Sequence, residues 1–343
     1  LIKNTLLVLV SVTFALVACE IFLRIAGFGF GNSPKNADPL YHHAHPKNYK
    51  YSIYVPGGEY GGWETYYDNN GFITDSSGVD TLSNDSEEAI IFLGDSFTEA
   101  KQVPFDQSFV QLSAAVLDRK VINTAVSSYS TIIYLSQVRN LVKHMRARDI
   151  VLQLYSNDYK GDQNYGTRAV YNENGRLAGV DGGTPSMALS LLRSFYLVRL
   201  LRRVQLTIQF KNSLGADTLM ATDNWEKVFA IEQTQSNENI AFTHSLILEI
   251  QTELEEAGKR LHVFMIPSRA LSKQGKCCNA DTLYETFKTF ANDNAISFID
   301  LNRAFENAPN QTDLFFEADI HLTTAGHLLV GKTLVDHFES VNR

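Results

Sequence analysis

Four short polar clusters in this 343-residue sequence carry the residue types of an acyl-transfer site. Gly94-Asp95-Ser96-Phe97-Thr98 presents a serine directly after the apolar run 89–93. A serine hydroxyl is a weak nucleophile until a base takes its proton, and that base needs an acid to orient it. His321 is the best base. It stands in Glu317-Ala318-Asp319-Ile320-His321, ahead of a closing helix that Thr323 can cap. Asp319, two residues before it, can hold the imidazole through Nδ1 and leave Nε2 facing Ser96. Acyl transfer also needs donors for the developing oxyanion. The candidates are the backbone N–H of Ser96, the backbone N–H of Ser128 and the side-chain amide of Asn157. Each cluster has an ordinary reading too: a histidine before a helix is commonly structural, and Asn157-Asp158 can simply satisfy a local turn. What links the four is their placement at strand ends of one expected sheet.

The hydrophobic pattern supplies that sheet. The short apolar run 89–93, then 121–126, 149–158, 261–267 and 297–301, read as buried strands. Residues 106–118, 130–147, 237–259, 281–294 and 323–341 read as helices between and after them. Strands alternating with helices predict an α/β fold with a doubly wound parallel sheet, whose ligands bind at the carboxyl ends of the strands. Residues 159–236 do not fit a simple strand–helix unit and are expected to be a helical insertion. It holds a Gly-rich turn region at 174–183 and an apolar helix near 187–209 bearing Arg193, Arg199, Arg202 and Arg203. The expected role of that helix is a cap over the sheet with its arginines reaching water; a membrane-surface helix or a lid is the alternative.

Residues 5–27 are apolar behind Lys3 and long enough to span about 30 Å of hydrocarbon as a helix. Glu20 and Arg24, four apart, can pair near one interface. An uncleaved anchor is the favoured reading. Leu16-Val17-Ala18-Cys19 also looks like a lipobox that would make Cys19 a lipidated first residue, and a cleaved signal is the third possibility. All three place the body outside the cytoplasm, and the favoured anchor holds it at the membrane on the periplasmic or cell-surface side. Residues 28–85 form an extended lead-in with short strands such as 51–55 and a turn at 69–71. His42, His43 and His45 fall here without a second ligand group, and a solvated turn before Pro46 is the expectation. The domain division is therefore 1–27, 28–85 and 86–343. The net charge of −8 argues against nucleic-acid partners. Cys19, Cys277 and Cys278 make no disulfide framework or zinc spacing; a strained vicinal disulfide at Cys277-Cys278 and two free thiols are both compatible.

The four clusters together resemble the SGNH (GDSL-like) hydrolase family. The run from Ile91 to Ala100 looks like its first signature block, Asn123–Ser130 like its second, Tyr155–Asp158 like its third, and Asp319–His327 like its last; the similarity covers roughly residues 86–340. The anchor ending in Glu20…Arg24 is similar to bacterial membrane-attached members. The resemblance implies a three-layer, flavodoxin-like α/β fold, ester hydrolysis or acyl transfer, and no metal or organic cofactor. By position it makes Ser96 the nucleophile, Ser128 the counterpart of the family's N–H-donating glycine, Asn157 the oxyanion amide and His321 the base. There are departures. Ser128 and Ser156 stand where the family has glycine, and the acid is at minus two from the histidine, Asp319, where the family more often has it at minus three, here Ala318. Some SGNH-like polysaccharide acyltransferases are similar in having Asp-x-His. Glu317 is a secondary candidate for the acid.

Other patterns carry less. Residues 326–333 match the phosphate-loop spacing, but no strand precedes them and the intervening residues are apolar, so no nucleotide is expected. No Gly-x-Ser-x-Gly surrounds Ser96. His144, His244, His262 and His337 are expected to be structural or solvated. The reading is thus a membrane-tethered extracytoplasmic serine esterase acting on an ester-bearing small molecule or an O-acyl, foremost acetyl, group of a glycan. An O-acyltransferase shares the chemistry up to the acyl-enzyme, and a non-catalytic envelope binding module on the same fold is the alternative of another class. If His321 is the base, activity should fall as it protonates, near the ordinary histidine value of about 6.5.

Overall fold

A computed structural model describes residues 2–26, 30–31, 34–54, 59–184, 186–216, 235–267, 282–317 and 319–341. Cys277 and Cys278 lie outside these residues, as does Ala318.

The N-terminal apolar run forms α1 (Ile2–Ile25). Lys3–Ile25, 23 residues of mean hydropathy 2.6, is long and apolar enough to cross a membrane. Its side chains are exposed through Ala18; near its end Cys19 and Glu20 are half-buried and Leu23 is buried. The Glu20–Arg24 pair forms at 2.7 Å, as the helical spacing predicts.

The lead-in folds into small sheets: β1 (Phe30–Gly31), β2 (Asn36–Asp38), β3 (His42–Ala44), β4 (Tyr49–Tyr54), β5 (Gly61–Tyr67) and β6 (Ile73–Thr74). β2 and β3 pair as a hairpin, while the rest form a four-stranded sheet in the order β1-β4-β5-β6. The turn at 69–71 is held by Asp68, whose Oδ1 accepts from the amides of Asn70 and Phe72. Gly71 is required there: its φ is 84°, and a Cβ would meet the His45 carbonyl oxygen at 2.5 Å. The expectation of a solvated turn at the histidines is wrong. His43 and His45 are 6% and 3% exposed. Both carry hydrogen-bond partners from the main body, which offsets the cost of burying a polar ring.

The central sheet is β7 (Ile90–Leu93), β8 (Val121–Asn123), β9 (Asp149–Leu154), β12 (Arg260–Met265) and β13 (Ser297–Phe298). Its order is β13-β12-β9-β7-β8, parallel throughout. Numbered within the sheet this is 2-1-3-4-5, the flavodoxin-like order, whose switch point lies between β7 and β9. β7 is buried on both faces, which explains its unbroken apolar sequence. Ile91 and Leu93 pack into one core with α4 (Thr131–Asn140), α8 (Asn237–Glu256) and α9 (Thr282–Asp293). Ile90 and Phe92 pack into the other with α3 (Phe109–Leu117), α10 (Asn302–Glu306) and α11 (Thr324–Val341). Helix, sheet, helix make the three layers expected.

α11 runs unbroken through the residues that match phosphate-loop spacing. Both glycines there serve packing: a Cβ on Gly326 would meet the Leu314 carbonyl oxygen at 2.2 Å, and one on Gly331 would press on Leu112 of α3 at 3.3 Å.

The insertion departs from expectation in three places. The third strand ends at Leu154, and Asn157 opens helix α5 (Asn157–Gly166). The Gly-rich turn region belongs to an antiparallel hairpin, β10 (Ala169–Tyr171) with β11 (Leu177–Val180). The arginine-bearing helix is two, α6 (Met187–Ser194) and α7 (Tyr196–Ala216), and they do not cap the sheet. α7 packs mainly on α1, α6 and β1, while α4, α8 and α9 cover the sheet face.

Candidate active site

Ser96 is the first residue of α2 (Ser96–Glu99), a single turn after β7. The chain reaches it through Gly94, where a Cβ would lie 2.3 Å from Thr98 Oγ1 and 2.7 Å from Gln153 Oε1. Only glycine lets α2 close that tightly on β9. Asp95 caps the turn, its Oδ1 accepting from the Phe97 amide at 2.9 Å. Gln153 Oε1 on β9 accepts from the Asp95 amide and from Thr98 Oγ1. As the first helical residue, Ser96 has no carbonyl four residues back for its own N–H, which leaves that donor at the sheet edge.

His321 arrives on the loop before α11. Its carbonyl accepts from the Phe316 amide at 3.0 Å, and Thr323 Oγ1 accepts from the Gly326 amide, the expected cap. His321 Nε2 lies 2.7 Å from Ser96 Oγ. Its Nδ1 bonds Asp319 Oδ1, which also accepts from the His321 amide at 3.0 Å. With Nδ1–H donating to the carboxylate, Nε2 is the acceptor for the serine hydroxyl. The ring of Phe97 backs the imidazole at 4.8 Å between centroids.

A fourth residue, which sequence reasoning missed, extends this line. Tyr60 donates its hydroxyl to Asp319 Oδ2 at 2.8 Å from 259 positions away. Burial pushes the Asp319 carboxyl up, but His321 and the Tyr60 hydroxyl outweigh it and hold it at about 2. The same contact and burial push the Tyr60 phenol well up, so Tyr60 stays a donor. The Glu317 amide donates to Glu59 Oε1.

Asn157 opens α5 after β9, and Ser128 lies in the loop after β8. Asn157 is exposed, and its Nδ2 reaches toward Asp95 Oδ2 at 3.5 Å, beside the chain segment that carries Ser96. Asp158 behaves as the ordinary reading supposed, its Oδ2 accepting from the Tyr155 amide. The two Gly-to-Ser departures differ physically. Ser156 has φ −60°, where a side chain costs nothing. Ser128 has φ 71°, the left-handed region that favours glycine, and its Oγ accepts from Lys35 Nζ at 2.9 Å.

Beneath these groups lie buried carboxylates of two kinds. Burial, with the charges of Asp95 and Asp162, pushes Asp158 well up; burial takes Asp162 to about 6 and raises Asp95. Glu99 is equally buried, yet His45, Lys101 and Ser127 overcome burial and hold it well below the usual range. Its donors are Tyr67 Oη at 2.6 Å, the Ser127 amide at 2.7 Å and Oγ, with His45 Nε2 at 3.2 Å. His43 Nε2 meets the Ser127 carbonyl at 3.0 Å, and Tyr129 donates to the His43 carbonyl. These contacts tie the lead-in to the loop that carries Ser128.

A cavity of about 690 Å³ adjoins the acid side of the site, lined by Glu59, Tyr60, Trp63, Gln102 and Phe316 among others. Ser96 and His321 are not part of its wall; Tyr60 links the two. Trp63 Nε1 and Gln102 Oε1 there have no hydrogen-bond partner among the described residues. Of the other histidines, His144 is exposed, His262 lies against His337 and Asp149, and His244 stacks on Phe290.

Residues 221–341 match the model of a family described as an SGNH hydrolase-like domain, acetyltransferase AlgX. No curated protein matches the sequence. Solved structures with a similar overall course include a lipolytic protein of the G-D-S-L family from Desulfitobacterium hafniense, 11% identical with a TM-score of 0.42, covering 73% of this chain and 99% of that one. A member of the same lipolytic family from Veillonella parvula is 13% identical with a TM-score of 0.41, covering 73% and 98%. The lipase/acylhydrolase from Enterococcus faecalis is 14% identical with a TM-score of 0.40, covering 74% and 96%. Over residues 221–341 this chain is similar to that SGNH hydrolase-like domain.

Proposed function

We propose that this protein is a serine esterase that works through an acyl-enzyme on Ser96, with His321 as base and Asp319 as the acid that orients it. The observation that carries this is the unbroken line Asp319–His321–Ser96, with Nε2 at 2.7 Å from Oγ. His321 Nε2 takes the hydroxyl proton as Oγ attacks the ester carbonyl. The N–H of Ser96, the N–H of Ser128 and the amide of Asn157 receive the oxyanion. His321 then gives its proton to the departing alkoxide, and the acyl group stays on Ser96. A water deprotonated by the same Nε2 releases the acid. We assign this to a hydrolase domain at 86–343, completed by the lead-in, tethered by α1 and lying outside the cytoplasm. The aromatic walls of the neighbouring cavity, Tyr60, Trp63 and Phe316, offer faces to a sugar ring, which supports a glycan ester as substrate.

A second reading is favoured by one finding: the matched family is described as an acetyltransferase. On that reading a sugar hydroxyl replaces water in the second half of the reaction. The test is p-nitrophenyl acetate turnover with fluorophosphonate labelling of wild type and Ser96→Ala. Labelling and turnover that both disappear in the variant support the esterase. Labelling without turnover, with turnover restored by an added sugar acceptor, supports transfer. A folded wild type that neither labels nor turns over sinks both and leaves a binding module.

A further inference from the structure

α6 and α7 carry an unusual charge for this chain. Residues 187–216 hold five cations, Arg193, Arg199, Arg202, Arg203 and Lys211, and no acidic residue, in a protein of net charge −8. They also present apolar side chains to the outside. On α6, Met187 is 85% and Leu191 is 60% exposed, with Leu192 and Phe195 beside them. On α7, Leu201, Val204 and Ile208 recur at spacings of three and four, which places them on one face, and all three are exposed. An apolar stripe flanked by arginines is the pattern of a helix that lies in a lipid interface.

The junction with α1 bears on what covers the stripe. The end of α1 is bound to the start of α7: Glu20 accepts from the amides of Tyr196 and Leu197 at 3.0 and 2.9 Å. Arg24 donates to the Ser194 carbonyl at 3.0 Å and lies over the Tyr196 ring. The outward-facing apolar length of α1 therefore stops where α6 meets α7. Whatever surrounds α1 extends to that junction.

We propose that α6 and α7 lie on an anionic lipid surface, their apolar stripe in the acyl boundary and their arginines among phosphate headgroups. This rests on reading α1 as a membrane span. The consequence for the site is positional. Arg193 donates to the Lys35 carbonyl, and Lys35 Nζ donates to Ser128 Oγ, so the surface helices are tied through one residue to the candidate oxyanion loop.

The test uses the full chain with Cys19, Cys277 and Cys278 replaced by serine, reconstituted into vesicles of phosphatidylcholine and phosphatidylglycerol. A nitrobenzoxadiazole probe is placed in turn by Phe14→Cys, Leu191→Cys and Val116→Cys, the last exposed on α3, and quenched by spin-labelled lipid or by aqueous iodide. Lipid quenching at 14 and 191, with iodide quenching at 116, is the expected result. Arg202→Ala then lowers the bound-to-unbound ratio at position 191 about fivefold, and omitting phosphatidylglycerol lowers it further. Lipid quenching at 14 with iodide quenching at 191 overturns the surface proposal and leaves the span intact. Iodide quenching at 14 overturns the span itself. Lipid quenching at 191 that ignores both Arg202→Ala and phosphatidylglycerol overturns the headgroup role of the arginines.

Discussion

The two ends of the single-turn helix α2 each meet a histidine from a distant part of the chain, and the two meetings are of different kinds. At its start, half-buried Ser96 faces His321, whose side chain is 15% exposed and whose partner Asp319 is 23% exposed. At its end, three residues on, Glu99 faces His45, and both side chains are wholly buried. The first pair keeps a route to solvent and one hydroxyl proton to move. The second saturates a buried carboxylate with donors from the lead-in and the Ser128 loop. One turn of helix thus carries a reactive end and a riveted end, and the rivet fixes the frame in which the reactive end works.

That contrast can be broken from either side. The largest effect is expected at the reactive end: His321→Ala should lower ester turnover by about 10³-fold or more while leaving the thermal unfolding midpoint nearly unchanged. Equal loss of stability would mean that His321 is a structural residue. At the riveted end the pattern should invert. Glu99→Ala strands His45 and the Ser127 amide in a dry site and should cost about 3–5 kcal/mol by denaturant titration. Turnover per folded molecule in the cold should stay within about tenfold of wild type.

The pH response sharpens the same division. Burial and the nearby Lys35 charge hold His43 down at about 3. Between that value and the unfolded value of about 6.5, the unfolded chain binds the extra proton, so stability falls as pH falls through this window. From pH 7 to pH 5 His43 should account for about 2 kcal/mol of lost stability. Urea titrations at both pH values should show His43→Gln losing less than wild type by that amount; parallel losses would refute the buried neutral histidine. The smallest effect is expected where the two regions touch. Tyr60→Phe removes one hydrogen bond to the Asp319 carboxylate, and kcat should drop about tenfold with KM nearly constant. A change confined to KM would place Tyr60 in substrate binding instead.

Much of the reactive end was readable in the chain. Ser96 follows a fully apolar strand, Asp319 and His321 share one short loop, and Thr323 announces the helix that holds them. These are local signals of strand, turn and cap. Asn157 was placed beside the right strand, although its role as the start of a helix was not foreseen. The riveted end was not readable. His43 and His45 look like a polar turn before a proline, because nothing near them in sequence says that Glu99 and Ser127 will lie opposite. Tyr60 gave no signal for the same reason. The α6–α7 region misled differently: an apolar helix with arginines fits a cap on a sheet or a surface on lipid equally well, and only its neighbours distinguish them.

The sequence by itself determined the order and kind of the central elements, since burial on both faces demands continuous apolar strands and the alternation with helices demands parallel connections. It also names the residues proposed here for acyl chemistry. The tertiary structure decided the partners. In a 2-1-3-4-5 sheet the loops after β7, β8 and β9 converge on one edge, and the segments before β7 and before α11 close over it from opposite ends of the chain. Pairing across 225 residues for His321 and Ser96, or across 259 for Tyr60 and Asp319, is set by that topology and leaves no trace in local periodicity.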